Sequence, residues 1–362
     1  MPKVAPLKKE NWSVRRATAS DREGILKLHE RAFQKKMTPS QWDWQFLQNP
    51  YLQPLIWIAE TPSGQIVGHY AVVPVPFRMR EKQTHAGYSI LSMIDPDFQR
   101  QGMFQVLEGS TRDTLEKIDM GLVAGFPNEN SVPVYTRYLG WLELGKKIPV
   151  YFKVIDLENL LESKIGKLAA SLIASVLSPL CRMTFLARPL RDPTLIVKKI
   201  TQLDERYDFL WKKFSEPFHF TTERTRKYFD WRYSMNPKEY EILSVERGNQ
   251  LLGIAAFRVD DRYGFKMAYL ADLIFDPNEP SAAQSLVSSI DHELKKKSVG
   301  MITSLVLPHP LIKEVLSKSK FFPIPDFLLP HRMHFGFRAF KTQERMKLAN
   351  EWLITWSDHD IV

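Results

Sequence analysis

The run Asp43-Trp44-Gln45-Phe46-Leu47-Gln48-Asn49-Pro50 returns later in the chain as Asp230-Trp231-Arg232-Tyr233-Ser234-Met235-Asn236-Pro237. Gly64-Gln65-Ile66-Val67-Gly68 returns as Gly248-Asn249-Gln250-Leu251-Leu252-Gly253, and Ile94-Asp95-Pro96 returns as Phe275-Asp276-Pro277. Trp44 and Trp231 are 187 residues apart, Gly68 and Gly253 are 185 apart, and Asp95 and Asp276 are 181 apart. Three segments in the same order with so little drift predict a duplicated domain. A chain of 362 residues is long enough for two domains that each bury a core.

The first copy holds the more informative chemistry. An apolar strand from Tyr88 to Ile94 meets a turn at Asp95-Pro96, then a polar loop with one glycine, Gly102, and then a helix running toward Val106 and Leu107. That order gathers free backbone N–H groups and the positive end of a helix at one point, a site for phosphate or pyrophosphate. Gly102 lets the backbone approach the anion without a Cβ between. Around it, the pattern predicts a helix over Asp21–Gln34 capped by Ser20, and strands over Leu55–Glu60, Ile66–Val73 and Gly121–Phe126. A short helix ending near Leu139 and a last strand from Trp141 through Phe152 complete this half. In the second copy Asp276-Pro277 leads into Asn278-Glu279-Pro280-Ser281, with no glycine. Pro280 removes an N–H donor and Glu279 puts negative charge where phosphate would sit. Copy two is therefore expected to keep the scaffold without the anion site.

Composition narrows the classes. Hydrophobic residues at 44% and charged residues at 25% describe a globular chain rather than a disordered one. The single cysteine, Cys181, excludes an internal disulfide framework and fits a reducing compartment. Met1 to Lys9 lacks the apolar core of a secretory signal, so a cytoplasmic location is expected. The nine histidines show no i, i+4 pairing with a carboxylate, and His331-x-x-His334 stands alone, so no metal site is expected. The net charge of +9 is spread in scattered pairs such as Lys8-Lys9 and Arg15-Arg16. A phosphorylated cofactor or anionic substrate accounts for such an excess, and a nucleic-acid partner is not expected. The uncharged stretch Leu168–Cys181 is too short, and too soon broken by Pro179, to span a bilayer; it is expected to be a buried connecting helix, with a membrane-surface or dimer-contact helix as the alternative.

The spacing Gln99-x-x-Gly102-x-Phe104 resembles the acyl-CoA loop of GNAT N-acyltransferases, R/Q-x-x-G-x-G/A, with Phe104 where the family has a small residue. Asn128 and Tyr135 keep the separation of the family's N-x-x-A-x-x-L-Y run, and Gly140-Trp141 stands for its closing glycine–aromatic pair, one residue late. The resemblance implies an α+β chain of two tandem GNAT-like domains, each a mixed, mainly antiparallel sheet flanked by helices. It places an acyl-CoA-binding domain at 1–155, a helical connector at 156–195, a degenerate domain at 196–345 and a C-terminal tail at 346–362.

Acetyl-CoA or another acyl-CoA is the cosubstrate so implied. The backbone of Leu91, Met93 and Ile94 would hold the pantetheine arm and polarise the thioester. Gln99, Arg100, Gln101, Gly102, Met103 and Phe104 would hold the pyrophosphate, with Asn128 nearby. Acyl transfer needs a polarised carbonyl, an amine that loses a proton and a thiolate that gains one. Tyr135 is the candidate acid, since a phenol's ordinary pKa lies near that of a thiol. Glu129 and His69 are the candidate bases. The run Gly125-Phe126-Pro127-Asn128-Glu129-Asn130-Ser131 also resembles GNAT proteins encoded with bacterial surface-polysaccharide genes. The expected function is direct transfer, in a ternary complex, to the amine of a small molecule such as an amino sugar. An inactive acyl-CoA-binding or regulatory protein is the alternative, and a homodimer is left open.

Overall fold

The computed structural model describes residues 12–118, 120–145, 147–165, 192–329, 331–340 and 346–359. Two compact units divide the chain: Met1–Lys146 with His334–Lys347, and Lys147–Met333 with Leu348–Val362.

The first half runs β1 (Ser13–Arg16), α1 (Arg22–Phe33), α2 (Pro39–Trp42), β2 (Leu55–Glu60), β3 (Ile66–Met79), β4 (Lys82–Ile94), α3 (Met103–Lys117), β5 (Leu122–Gly125), α4 (Val132–Tyr138), β6 (Leu142–Glu143), β7 (Val150–Val154) and α5 (Leu157–Ile165). The second half holds β8 (Ile196–Ile200), helix Arg206–Ser215, β9 (Phe220–Thr222), helix Arg226–Phe229, β10 (Glu241–Arg247), β11 (Gln250–Arg262) and β12 (Phe265–Phe275). It continues with helix Pro280–Lys296, β13 (Met301–Leu305), helix Pro310–Lys318, β14 (Phe322–Pro323), β15 (Gly336–Ala339) and β16 (Trp352–Leu353). Most of the expected connector, residues 166–191, lies outside the described residues.

The two sheets have one topology. Unit one orders its strands β1-β2-β3-β4-β5-β15-β6, and unit two orders them β8-β10-β11-β12-β13-β7-β14. Each sheet takes its penultimate strand from the other half of the chain. β7 pairs antiparallel with β13, Thr303 facing Phe152, and β15 pairs antiparallel with β5, Phe337 facing Ala124. The strand expected to close the first half therefore belongs to unit two, so the units are not the contiguous stretches 1–155 and 196–345. Residues 352–359 are not a tail either: β16 pairs with β9 and Thr355 bridges Val306. Hydropathy marks a strand but carries no record of its partner. Lys153 on β7 is fully buried and ion-pairs with Asp291 on helix Pro280–Lys296, which ties the exchanged strand into unit two. Burial pushes the lysine down and the aspartate up, while their mutual attraction opposes both shifts.

The repeated sequences are the joints of this architecture. Thr38 caps α2 by accepting from the Gln41 N–H, and Thr225 caps helix Arg226–Phe229 by accepting from Tyr228. Both short helices then widen into π-helical turns, Asp43–Leu47 and Asp230–Ser234, that bury Trp44 and Trp231. Asn49 and Asn236 each accept from the N–H two residues on, turning the chain before the next strand. Gly68 lets α3 settle onto β3, since a Cβ there would lie 2.5 Å from Met103 Sδ; Gly253 does the same for Leu286, at 3.0 Å. Fully buried Leu107, Val67 and Val72 form that helix–sheet core, each stabilising it by about 1.5–3 kcal/mol relative to exposure.

Two local readings change. Thr18 and Asp21, not Ser20, make the capping box ahead of α1. β3 runs through Pro74 and Pro76, because beyond Val72 it has left β2 and no β2 ladder bond is lost there.

Candidate functional site

The loop after β4 has the predicted geometry. Gly102 is the N-cap of the fifteen-residue α3 in the left-handed conformation, φ 75°, and Arg100 is also left-handed at 64°. The N–H groups of Met103 and Phe104 have no partner within the helix, and the first turn carries no acidic residue. Asp95, buried at the strand end, receives the Arg31 Nε–H at 2.6 Å. Gln99 and Arg100 are exposed, and Gln101 accepts from the Trp12 indole at 3.0 Å. Met103 is buried, so only its backbone can face a ligand. Phe104, where the related loops carry a small residue, stands edge-on to Tyr70 and to Tyr135, with ring centroids 5.7 and 5.3 Å away. It fills the start of the helix with packing rather than leaving it open.

Upstream of the loop, β4 bulges. His69 faces Met93 and Ala71 faces Ile90, so the two residues Leu91 and Ser92 stand opposite the single residue Tyr70 on β3. Leu91 is left-handed, φ 48°. β4 and β5 pair only over Ala86–Tyr88 and Leu122–Ala124, leaving the later part of β4 unpaired on that side.

A polar cluster lies on the α3 face of the sheet. The hydroxyls of Tyr135 and Ser89 are 3.4 Å apart, and those of Ser89 and Ser92 are 3.5 Å apart. Tyr70, fully buried, hydrogen-bonds Ser89, and burial pushes its phenol well above the usual range. Glu108 is 1% exposed and receives the Trp141 indole at 3.5 Å and Arg112 at 3.4 Å. Burial raises its pKa, and Arg112 opposes the rise. Tyr70, Ser89 and Glu108 were missed because β3, β4 and α3 each contribute one of them and no spacing links the three.

The three candidate catalytic residues are not brought together. Tyr135 is buried on the α3 face. His69 precedes Tyr70 on β3 and so points to the other face, against Trp42 and Phe46 at 5.9 and 6.3 Å. Burial pushes its imidazole down to about 4, so the ring is neutral near pH 7. Glu129 is exposed, in the turn before α4. Asn128 is exposed and uses its Oδ1 to accept from the Ser131 N–H at 3.0 Å. Leu91, Met93 and Ile94 lie along the end of β4, with Met93 buried.

Unit two closes both features. Glu279 is the N-cap of helix Pro280–Lys296, with Pro280 at its first position, and the Glu279 carboxylate receives Arg247 at 2.7 Å. β12 has its own bulge, since Ala256 faces Asp272 while Phe257 faces Leu270. Counting back three residues from Phe275, as from Ile94, puts Asp272 in the place of Leu91, though here it faces Ala256 and its neighbour Ala271 is the bulged residue. The Asp272 carboxylate accepts from Arg224 at 3.0 Å, Tyr233 at 2.6 Å and Thr355 at 2.8 Å. Pairing of β12 with β13 ends at Leu270 and Ser304. Beyond that point Thr355 bridges Val306, leaving a small cavity lined by Leu270, Asp272, Ser304, Val306 and Leu353. Among the described residues, no group of three His, Cys, Asp or Glu side chains could hold a metal ion, and no helix is long and apolar enough to cross a membrane.

A bulged β4 running through a glycine turn into a helix, within a mixed and mostly antiparallel sheet, defines the acyltransferase fold of the GNAT type. Residues 13–142 match the family model described as an acetyltransferase (GNAT) domain, and this part of the chain is a GNAT-type N-acetyltransferase domain. Solved structures share the fold over most of the chain. One is a GCN5-related N-acetyltransferase from Anabaena variabilis, with 11% identity and a TM-score of 0.62, covering 91% of this chain and 72% of that one. Another is Saccharomyces cerevisiae N-myristoyltransferase with bound myristoyl-CoA, with 12% identity and a TM-score of 0.62, covering 94% and 82%. No curated protein matches the sequence.

Proposed function

We propose that unit one binds acetyl-CoA or another acyl-CoA, the cosubstrate of this family, and transfers the acyl group directly to the amine of a small molecule such as an amino sugar. The observation that carries this reading is Gly102, left-handed at the N-cap of α3 with the N–H groups of Met103 and Phe104 beside it. The pyrophosphate would sit there, with Arg100 in reach, and the pantetheine arm would run along Leu91 to Ile94, where β5 has left β4. The amine nitrogen attacks the thioester carbonyl carbon, the C–S bond breaks, the amine gives up its proton to water, and the thiolate takes one.

Tyr135 is the donor to that thiolate in this reading. Its hydroxyl is linked to Ser89 on β4, and its ring is held by Phe104 and by Trp141, at 4.5 Å. Neutral His69 faces the other side of the sheet and Glu129 stands in solvent, so neither is assigned as base. The test is turnover of acetyl-CoA against a panel of amines that includes amino sugars. Tyr135→Phe should lower the turnover number about a hundredfold and leave acetyl-CoA affinity unchanged. An unaltered rate where chemistry limits would leave Tyr135 a packing residue.

A further inference from the structure

Among the described strand residues, Leu91 alone has a positive φ. An L-residue with a branched side chain reaches that conformation at a cost of roughly tenfold in population, so something must hold it. The Leu91 carbonyl oxygen, turned out of the ladder by the bulge, lies 2.7 Å from His69 Nδ1. A carbonyl can only accept, so Nδ1 carries the proton and Nε2 is a bare lone pair. Nε2 is buried with no partner, and the ring is wedged by Trp42 and Phe46. This is a fixed, neutral imidazole with one hydrogen bond, and that bond goes to the strained residue.

We infer that His69 is a positioning residue that latches the β4 bulge through the Leu91 carbonyl, and that the latch aims the N–H groups of Leu91 and Ser92 at the thioester carbonyl. It rests on the reading of unit one as an acyl-CoA site. Unit two supplies the contrast. Gly68 faces Ile94 and Gly253 faces Phe275, so Ile254 takes the place of His69 and Asp272 that of Leu91. There Asp272 faces Ala256 beside the bulged Ala271, and its carboxylate gathers Arg224, Tyr233 and Thr355 into the adjoining space. A latch on the carbonyl from the opposite face fixes the bulge and leaves that space open; a carboxylate placed beside the bulge, with its partners, fills it.

The probe is acetyl-CoA carrying ¹³C at the thioester carbonyl, bound to the full chain. Its carbonyl stretch is read by difference infrared spectroscopy and its affinity by calorimetry. In the parent the stretch should fall on binding, as it does when donors polarise the carbonyl. His69→Leu should lose most of that fall while binding acetyl-CoA within about threefold of the parent, because the pyrophosphate contacts at Gly102 are untouched. His69→Asn can return a donor to the Nδ1 position and should keep the fall. Leu91→Gly added to His69→Leu should restore it, because glycine adopts the left-handed conformation without a latch.

An undiminished fall in His69→Leu overturns the inference. So does a double variant that folds and binds acetyl-CoA yet does not regain it. Failure of the parent to bind acetyl-CoA at all is a different result, which overturns the reading of unit one itself.

Discussion

Two loops that begin with the same Asp-Pro pair end differently, and the difference lies in what meets the helix start. Asp95 and Asp276 are both buried, each holds the N–H two residues on, and each is neutralised by a basic residue of an earlier helix, Arg31 in one unit and Lys213 in the other. Past that shared joint, unit one offers Gly102 and unpaired N–H groups. Unit two offers Glu279 already paired with Arg247. The same holds one step upstream, where the bulge at Leu91 is left open while the space beside the bulge at Ala271 is filled by Asp272 and its partners. A duplicated scaffold can keep every joint and still lose a site, because turn residues answer to backbone geometry while the site answers to what is left unpaired.

The largest expected effect tests the filled side. Arg224 is fully buried between Asp272 and Asp358. Arg224→Met strands two carboxylates in the interior, which should cost about 3–5 kcal/mol, measured by urea unfolding. A loss below about 1 kcal/mol would show that Asp272 needs no partner and that the filling of the bulge is incidental. The next tests the open side. Gly102→Glu brings bulk and negative charge to the anion cradle and should weaken acetyl-CoA binding at least a hundredfold, roughly 3 kcal/mol, with no matching loss of thermal stability in the absence of ligand. If that variant binds as the parent does, the cradle lies elsewhere.

A smaller effect follows from His69, whose pKa burial lowers from 6.5 to about 4. The unfolded chain then takes up a proton before the folded one does. Stability present above about pH 6.5 is therefore lost as the pH falls toward 4, by about 2 kcal/mol at pH 5. His29, nearest in charge and itself lowered by burial, is common to both proteins in the comparison. His69→Asn should lack this part of the acid slope. An identical slope would mean that His69 takes up its proton as readily in the folded chain as in the unfolded one, so that burial does not hold it neutral.

The repeat was legible because its joints demand particular residues. Gly68 and Gly253 admit a helix onto the sheet, Asn49 and Asn236 close turns, and Asp95 and Asp276 cap them. Gly102 was legible for the same reason. The exchange of β7 and β15 was not, because Val150–Val154 and Gly336–Ala339 read as ordinary strands whichever sheet receives them. The cluster of Tyr70, Ser89, Glu108 and Tyr135 was only one-quarter visible: Tyr135 had a spacing to mark it, and the others meet it only after β3, β4 and α3 have packed. His69 was read as a candidate base from its residue type, and only its burial and its bond to Leu91 assign it a different part.

Everything in this comparison turns on one unit holding an open acyl-CoA site and the other a closed one. Calorimetric titration of the intact chain with CoA measures that directly. The account predicts one CoA per chain, abolished by Gly102→Glu and unaffected by Glu279→Gly. Two CoA molecules per chain, or a second site gained on replacing Glu279, would contradict it.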